Sequence, residues 1–125
     1  MSHFTTIKTQ IKDIDALRSA CQEMGFTLVQ DGIARGYAQD TVKGDYVIRL
    51  KGLYDIAVHR QPDGSFSLTA DIDMPDVEQE VGKGYGKLLQ LYGVHKAIKE
   101  ARRKGHFVKR SQQNNGSIKL IIATA

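Results

Sequence analysis

At 125 residues, with 41% hydrophobic and 26% charged side chains, the chain has the size of one globular domain, able to bury roughly two thirds of its unfolded surface. It contains no apolar run near the ~20 residues of a membrane helix, and its amino terminus has no apolar signal core, so a cytoplasmic protein away from membranes is expected. The single Cys21 excludes an internal disulfide and a multi-cysteine metal site, and the net charge of +4 is too small to make the whole chain a polycation.

Phe4 and Thr6 alternate with Thr5 and Ile7, which predicts a first strand over residues 3–11. Asp13 is placed as the N-cap of a helix over 13–24, with Ile14, Leu17, Cys21 and Met24 on one face. Gly25 then falls at the C′ position, where a Schellman ending folds Phe26 onto Cys21. That makes Cys21 a core thiol and not a nucleophile, because no base or cationic pocket is suggested beside it. Residues 27–30 predict a strand that turns at Asp31-Gly32 and returns over 33–37. Arg35-Gly36-Tyr37 matches a fragment of an RNA-binding Arg-Gly motif, too short to carry weight. Residues 38–44 read as a polar loop.

The middle third alternates most clearly. Tyr46, Ile48 and Leu50 share one face of a strand; so do Tyr54, Ile56 and Val58, and Phe66, Leu68, Ala70 and Ile72. Gln61-Pro62-Asp63-Gly64-Ser65 fits a type I turn closed by a left-handed Gly64. That turn pairs Val58 with Leu68 and Asp55 with Asp71, and keeping apolar faces together sets Arg49 opposite Asp55. The outer face then carries a row of Arg49, Asp55 and Asp71, with Asp73 two residues along. Such carboxylates can hold a hard cation or share a raised pKa; the reading preferred here is an exposed charge ladder in which Arg49 offsets the aspartates.

Asp73-Met74-Pro75-Asp76 breaks the last strand and offers N-caps. The following Gly82-Lys83-Gly84-Tyr85-Gly86-Lys87 lacks both the spacing of a phosphate loop and the third glycine of a dinucleotide fingerprint. It reads either as a broken helix or as a cationic segment presenting amides, Lys83 and Tyr85 to an anion. Leu88, Leu91, Val94, Ile98 and Ala101 then define the apolar face of the longest helix, over 87–104, with Lys96, Lys99, Glu100 and Arg103 opposite and Gly105 as its terminator. His95 is placed as a boundary histidine packed on the sheet. Residues 107–111 and 118–123 read as strands around Asn114-Asn115-Gly116, and the run Leu120-Ile121-Ile122-Ala123, lacking alternation, as a central strand buried on both faces.

The charge is concentrated. Residues 96–110 hold Lys96, Lys99, Arg102, Arg103, Lys104, Lys109 and Arg110 against Glu100, a local +6 that leaves −2 for the rest. A solvated helix face explains this most simply; a phosphate strand tracked by Lys96, Lys99, Arg102, Arg103, Lys109 and Arg110, with Tyr92 and Tyr85 stacking on bases, is the alternative.

Six segments carry a resemblance. They are Met1-Ser2-His3-Phe4-Thr5-Thr6-Ile7-Lys8-Thr9-Gln10-Ile11, Ile33-Ala34-Arg35-Gly36-Tyr37, Tyr54-Asp55-Ile56-Ala57, residues 68–71, Leu91-Tyr92-Gly93-Val94-His95, and Asn115-Gly116-Ser117-Ile118-Lys119-Leu120. Across nearly the whole chain this resembles the hypothetical chloroplast open reading frame thirty-five family, small proteins of cyanobacteria and plastids, also seen in other bacteria and phages. The chain departs from many of its relatives in lacking tryptophan and in its glycine-rich 82–86. The resemblance implies a domain of unknown function and transfers no catalytic or binding residue.

Together these readings predict an α+β domain, a mostly antiparallel sheet with helices 13–24 and 87–104 on one face. They imply no cofactor and no metal. They favour a non-enzymatic accessory protein docking a larger protein partner, with an RNA or single-stranded nucleic-acid binder as the alternative. An enzyme ranks lower, since nothing brings a base, a nucleophile and an orienting group together.

Overall fold

A computed structural model describes residues 4–71 and 75–124. In chain order, β1 (Thr5–Lys8), α1 (Ile14–Glu23), β2 (Thr27–Arg35), β3 (Thr41–Arg49), β4 (Asp55–Arg60) and β5 (Phe66–Ala70) precede α2 (Pro75–Val81), α3 (Gly86–Arg103), β6 (Phe107–Gln112) and β7 (Ile118–Ala123). The first five strands make an antiparallel sheet in the order β1-β5-β4-β3-β2, and β6 pairs with β7 in a separate hairpin. The fold is the expected α+β class.

The strand faces are those the alternation predicts. Ile48, Ile56, Val58, Phe66 and Leu68 point into one core, where Leu17, Ala20 and Cys21 of α1, Val77 and Val81 of α2, and Leu88 of α3 meet them. Full burial of side chains such as Leu17, Ile56 and Leu68 is worth about 1.5–3 kcal/mol each, so this face, more than helix propensity, sets how the helices lie. The register matches as well, with Arg49 opposite Asp55 and Val58 opposite Leu68. The turn between β4 and β5 closes through Gln61 N–H donating to Ser65 O at 2.8 Å, with Gly64 at φ +87°.

Both long helices end in the same motif. Phe26 N–H reaches Cys21 O at 2.8 Å and Gly25 N–H reaches Gln22 O at 3.1 Å; at α3, His106 reaches Ala101 O at 3.0 Å and Gly105 reaches Arg102 O at 2.9 Å. These are paired Schellman bonds. The glycine-rich segment is a break between helices. Gly82, Gly84 and Tyr85 all have positive φ, and a Cβ at Gly82 would lie 2.7 Å from Lys87 N.

Three expectations are corrected. Asp31-Gly32 is not a turn: β2 runs on to Arg35, and residues 41–44, read as loop, belong to β3. The β2–β3 ribbon bends instead, where Asp31 takes φ +51° and a Cβ at Gly44 would sit 2.5 Å from Tyr46 O. Beyond the bend the ribbon folds back over the second face of the sheet. Arg49 pairs with Thr27, yet its guanidinium donates to Ile33 O at 2.7 Å; six strand residues span ~20 Å, so only a doubled-back ribbon brings the two together. Ala34 thereby covers Val47 and Ala57, forming a small second core.

Strand β7, expected as a central strand, is not one: Ile121 and Ile122 are 46% and 49% exposed. An unbroken apolar run has no period, so sequence alone does not say which face it buries. The third expectation concerns α3. The helix lies along α1 and the β6–β7 hairpin, leaving Ile98 half-buried and His95 on Glu23, not on the sheet. The end of the predicted third core strand at Ile72, the proposed cap at Asp73 and the start of the first strand at His3 lie outside the described residues.

Candidate interaction surface

The acidic row is not an exposed ladder. Asp55 and Asp71 are both fully buried, because the folded-back ribbon covers them. Asp55 Oδ2 accepts from Arg35 N–H (2.9 Å), Arg35 Nε (2.8 Å) and Arg49 Nη1 (2.8 Å), and Oδ1 accepts from Arg35 Nη2 (3.0 Å). Burial pushes this carboxyl up, but the Arg35 and Arg49 donors outweigh it and hold it below the usual aspartate range. Asp71 Oδ2 accepts from Tyr37 N–H at 3.2 Å and fixes the tip of the ribbon. The cluster is therefore a clamp that holds the ribbon down, with Asp55 saturated by donors. Among the described residues no group of three His, Cys, Asp or Glu is disposed to hold a metal ion; Asp73 lies outside them.

The basic segment splits into two populations. Lys96 meets Asp13 and Glu100, each at 3.2 Å, and Lys99 meets Asp13 at 2.8 Å. Arg103 bonds Glu100 at 2.8 Å, and Arg110 grips both oxygens of Glu23 at 2.9 and 2.8 Å. Asp13 thus has two roles: its Oδ1 caps α1 through Asp15 and Ala16 N–H, and its Oδ2 ties α1 to α3. Burial raises the Asp13 pKa, but Lys99, the Ala16 amide and Lys96 prevail and leave it at about 2. Arg110, with His95, takes Glu23 down to about 2 against its own desolvation. Arg102, Lys104 and Lys109 form no ion pair among the described residues, and neither do Lys83 and Lys119.

The tyrosines do not join them. Tyr85 is 1% exposed, in the core beside Leu88, and its buried hydroxyl has no hydrogen-bond partner among the described residues. It offers no ring face to a base. Tyr92 is half-buried, and its hydroxyl accepts from Lys12 and Asp13 N–H at 3.1 and 3.2 Å, holding the entry to α1.

The hairpin supplies what sequence reading missed. Its register puts Phe107, Lys109, Ser111, Lys119, Ile121 and Ala123 on one face and Val108, Arg110, Gln112, Ile118, Leu120 and Ile122 on the other, where Ile122 stays 49% exposed. The second face turns toward the helices, with Arg110 pinned on Glu23. The first is open, with Phe107 69% exposed. Among the described residues neither strand has a second ladder partner, and no aspartate or glutamate follows Glu100 in the chain. That last feature was the one signal available in the sequence.

This defines a class: an α+β protein with a helix-covered antiparallel sheet and an appended basic β-hairpin. Residues 20–121 match the family described as protein of unknown function (DUF1257), and the chain belongs to that family. It is similar to the "Uncharacterized protein ycf35" of Guillardia theta, 32% identical over 124 residues, and to that of Pyropia yezoensis, 30% identical over 125 residues. In both cases the match covers 98% of this chain and 96% of the relative. No solved structure matches the chain.

Proposed function

We propose that the protein is a non-enzymatic accessory factor whose β6–β7 hairpin docks an acidic, apolar-flanked strand of a larger protein along the edge of β7. The observation that carries this reading is the open face of the hairpin, where Phe107 and Ile121 stand exposed beside Lys109 and Lys119. A strand edge without a partner invites strand addition. Its cations select the charge of the partner, and alternate side chains of an added strand would lie beside Ile121 on the open face. Four of the cations of the alternative phosphate track, Lys96, Lys99, Arg103 and Arg110, are engaged in internal ion pairs with Asp13, Glu100 and Glu23, which favours a protein over a nucleic acid.

The test is an amide-shift titration of the full chain with a soluble strand peptide alternating valine and glutamate, against its lysine counterpart and a single-stranded oligonucleotide. Shifts along residues 118–123 with the acidic peptide alone, abolished by combined Lys109→Glu and Lys119→Glu, are expected. No shift there would overturn the reading. Oligonucleotide binding with a log–log salt slope of about −0.7 per neutralised phosphate would replace it with the nucleic-acid one.

A further inference from the structure

We infer that the cleft behind the hairpin is a binding site for a small amphipathic anion, a carboxylate or phosphate monoester on an apolar body, seated between Lys51 and Lys87. The cleft has a volume of about 770 Å³ and lies where the inner face of the hairpin meets the end of α1, α2 and the start of α3. That is within the ~300–1,000 Å³ of small-molecule sites. Met24, Phe26, Leu91 and Ile118 provide an apolar wall.

The polar groups around it divide sharply. Arg110 is spent on Glu23 at 2.8 Å. Glu80 gives one oxygen to Lys51 N–H at 2.6 Å and the other to Gly52 N–H at 3.1 Å. Lys51 and Lys87 line the same cleft with no ion pair among the described residues. Both side chains are exposed, and their stems lie close to glycine backbone. A Cβ at Gly25 would lie 2.8 Å from Lys51 Cε, and one at Gly82 would lie 2.9 Å from Lys87 Cγ, so each lysine runs directly over glycine backbone.

Unpaired cations beside an apolar wall discriminate between ligands by charge. A neutral apolar guest would strip water from the ammonium groups and return no partner, and a cation would be repelled. An anion with an apolar body satisfies both parts. This site uses the inner face of the hairpin and does not rest on strand docking along the edge of β7.

The experiment titrates the ¹⁵N-labelled full chain with 2-naphthoate and with its neutral isostere 2-naphthamide. Saturable shifts should appear at Lys51, Lys87, Gln90 and Ile118, with naphthoate bound at least about fivefold more tightly than the amide. Lys51→Gln and Lys87→Gln should each weaken naphthoate about threefold or more and leave the amide unchanged, while Lys83→Gln, which lines only a neighbouring hollow, should change neither. The two probes on the unaltered protein decide the matter even if a variant folds poorly. Absence of saturation, equal affinity for the two probes, or shifts confined to α2 and Lys83 would overturn the assignment.

Discussion

Replacing Asp55 with asparagine removes one negative charge from a site where four donors converge on a carboxylate with no solvent exposure. Hydrogen bonds to charged groups are worth about 1.5–3 kcal/mol each, but they do not add. Arg35 and Arg49 are 49% and 37% exposed and can turn back to water. The asparagine can still accept from Arg35 N–H, while its NH₂ group would oppose a guanidinium. The net cost should be about 2–4 kcal/mol at pH 7. With a urea m-value of about 2 kcal/mol/M, the midpoint should fall by roughly 1–2 M at unchanged m. The folded pKa of Asp55 lies below its unfolded value. Its stabilisation is therefore complete above the unfolded value near ~3.9 and is lost as pH falls through the folded one. The gap between the two proteins should narrow on acidification below about pH 4. A loss under about 1 kcal/mol, or a gap that persists unchanged to pH 2, would refute the clamp.

The remaining predictions concern the hairpin and the core. Glu23, held near 2 against an ordinary 4.5 by Arg110 and His95, contributes fully above about pH 4.5 and progressively less towards pH 2, so Glu23→Gln at neutral pH should speed hydrogen exchange in β6 and β7 while β3–β5 stay protected; uniform loss of protection would contradict this. Burial pushes the Cys21 thiol up to about 12, so it should react with a disulfide reagent at pH 8 only after unfolding, and fast native reaction would show an accessible thiol. Leu88→Ala, at a fully buried position, should cost about 2–5 kcal/mol and Ile98→Ala distinctly less; equal losses in urea melts would put Ile98 in the core.

What was legible in the sequence was whatever repeats locally. Alternation in residues 46–50, 54–58 and 66–70 gave the core faces because each strand has one helix-covered side. Asp13, Gly25 and Gly105 gave helix ends because a cap is a short-range event. The bend in the β2–β3 ribbon was not legible: Asp31-Gly32 looks like a turn, and only the distant Arg35–Asp55 and Tyr37–Asp71 contacts decide that the strand continues. The same long-range closure hid the burial of Asp55. For the basic segment, sequence counted the charges correctly but could not see that Asp13 and Glu23, more than 80 residues away along the chain, neutralise Lys96, Lys99 and Arg110. Nor could it see that Tyr85 turns inward, a placement fixed by the left-handed break at Gly82–Tyr85. The exposed face of β6–β7 was missed because apolar content was taken for burial.

Site-specific photocrosslinking tests the docking account most directly. A benzophenone side chain is placed at Ile121, or at Ile33 in the other sheet as an exposed control, 54% accessible. The full chain is then irradiated in native extract, and the captured segment is mapped to the residue by mass spectrometry. The account predicts adducts from Ile121 and not from Ile33, on an acidic, β-prone segment of a larger protein, lost on Lys109→Glu with Lys119→Glu. Equal capture from both positions, capture indifferent to the two reversals, or adducts on nucleic acid would contradict it.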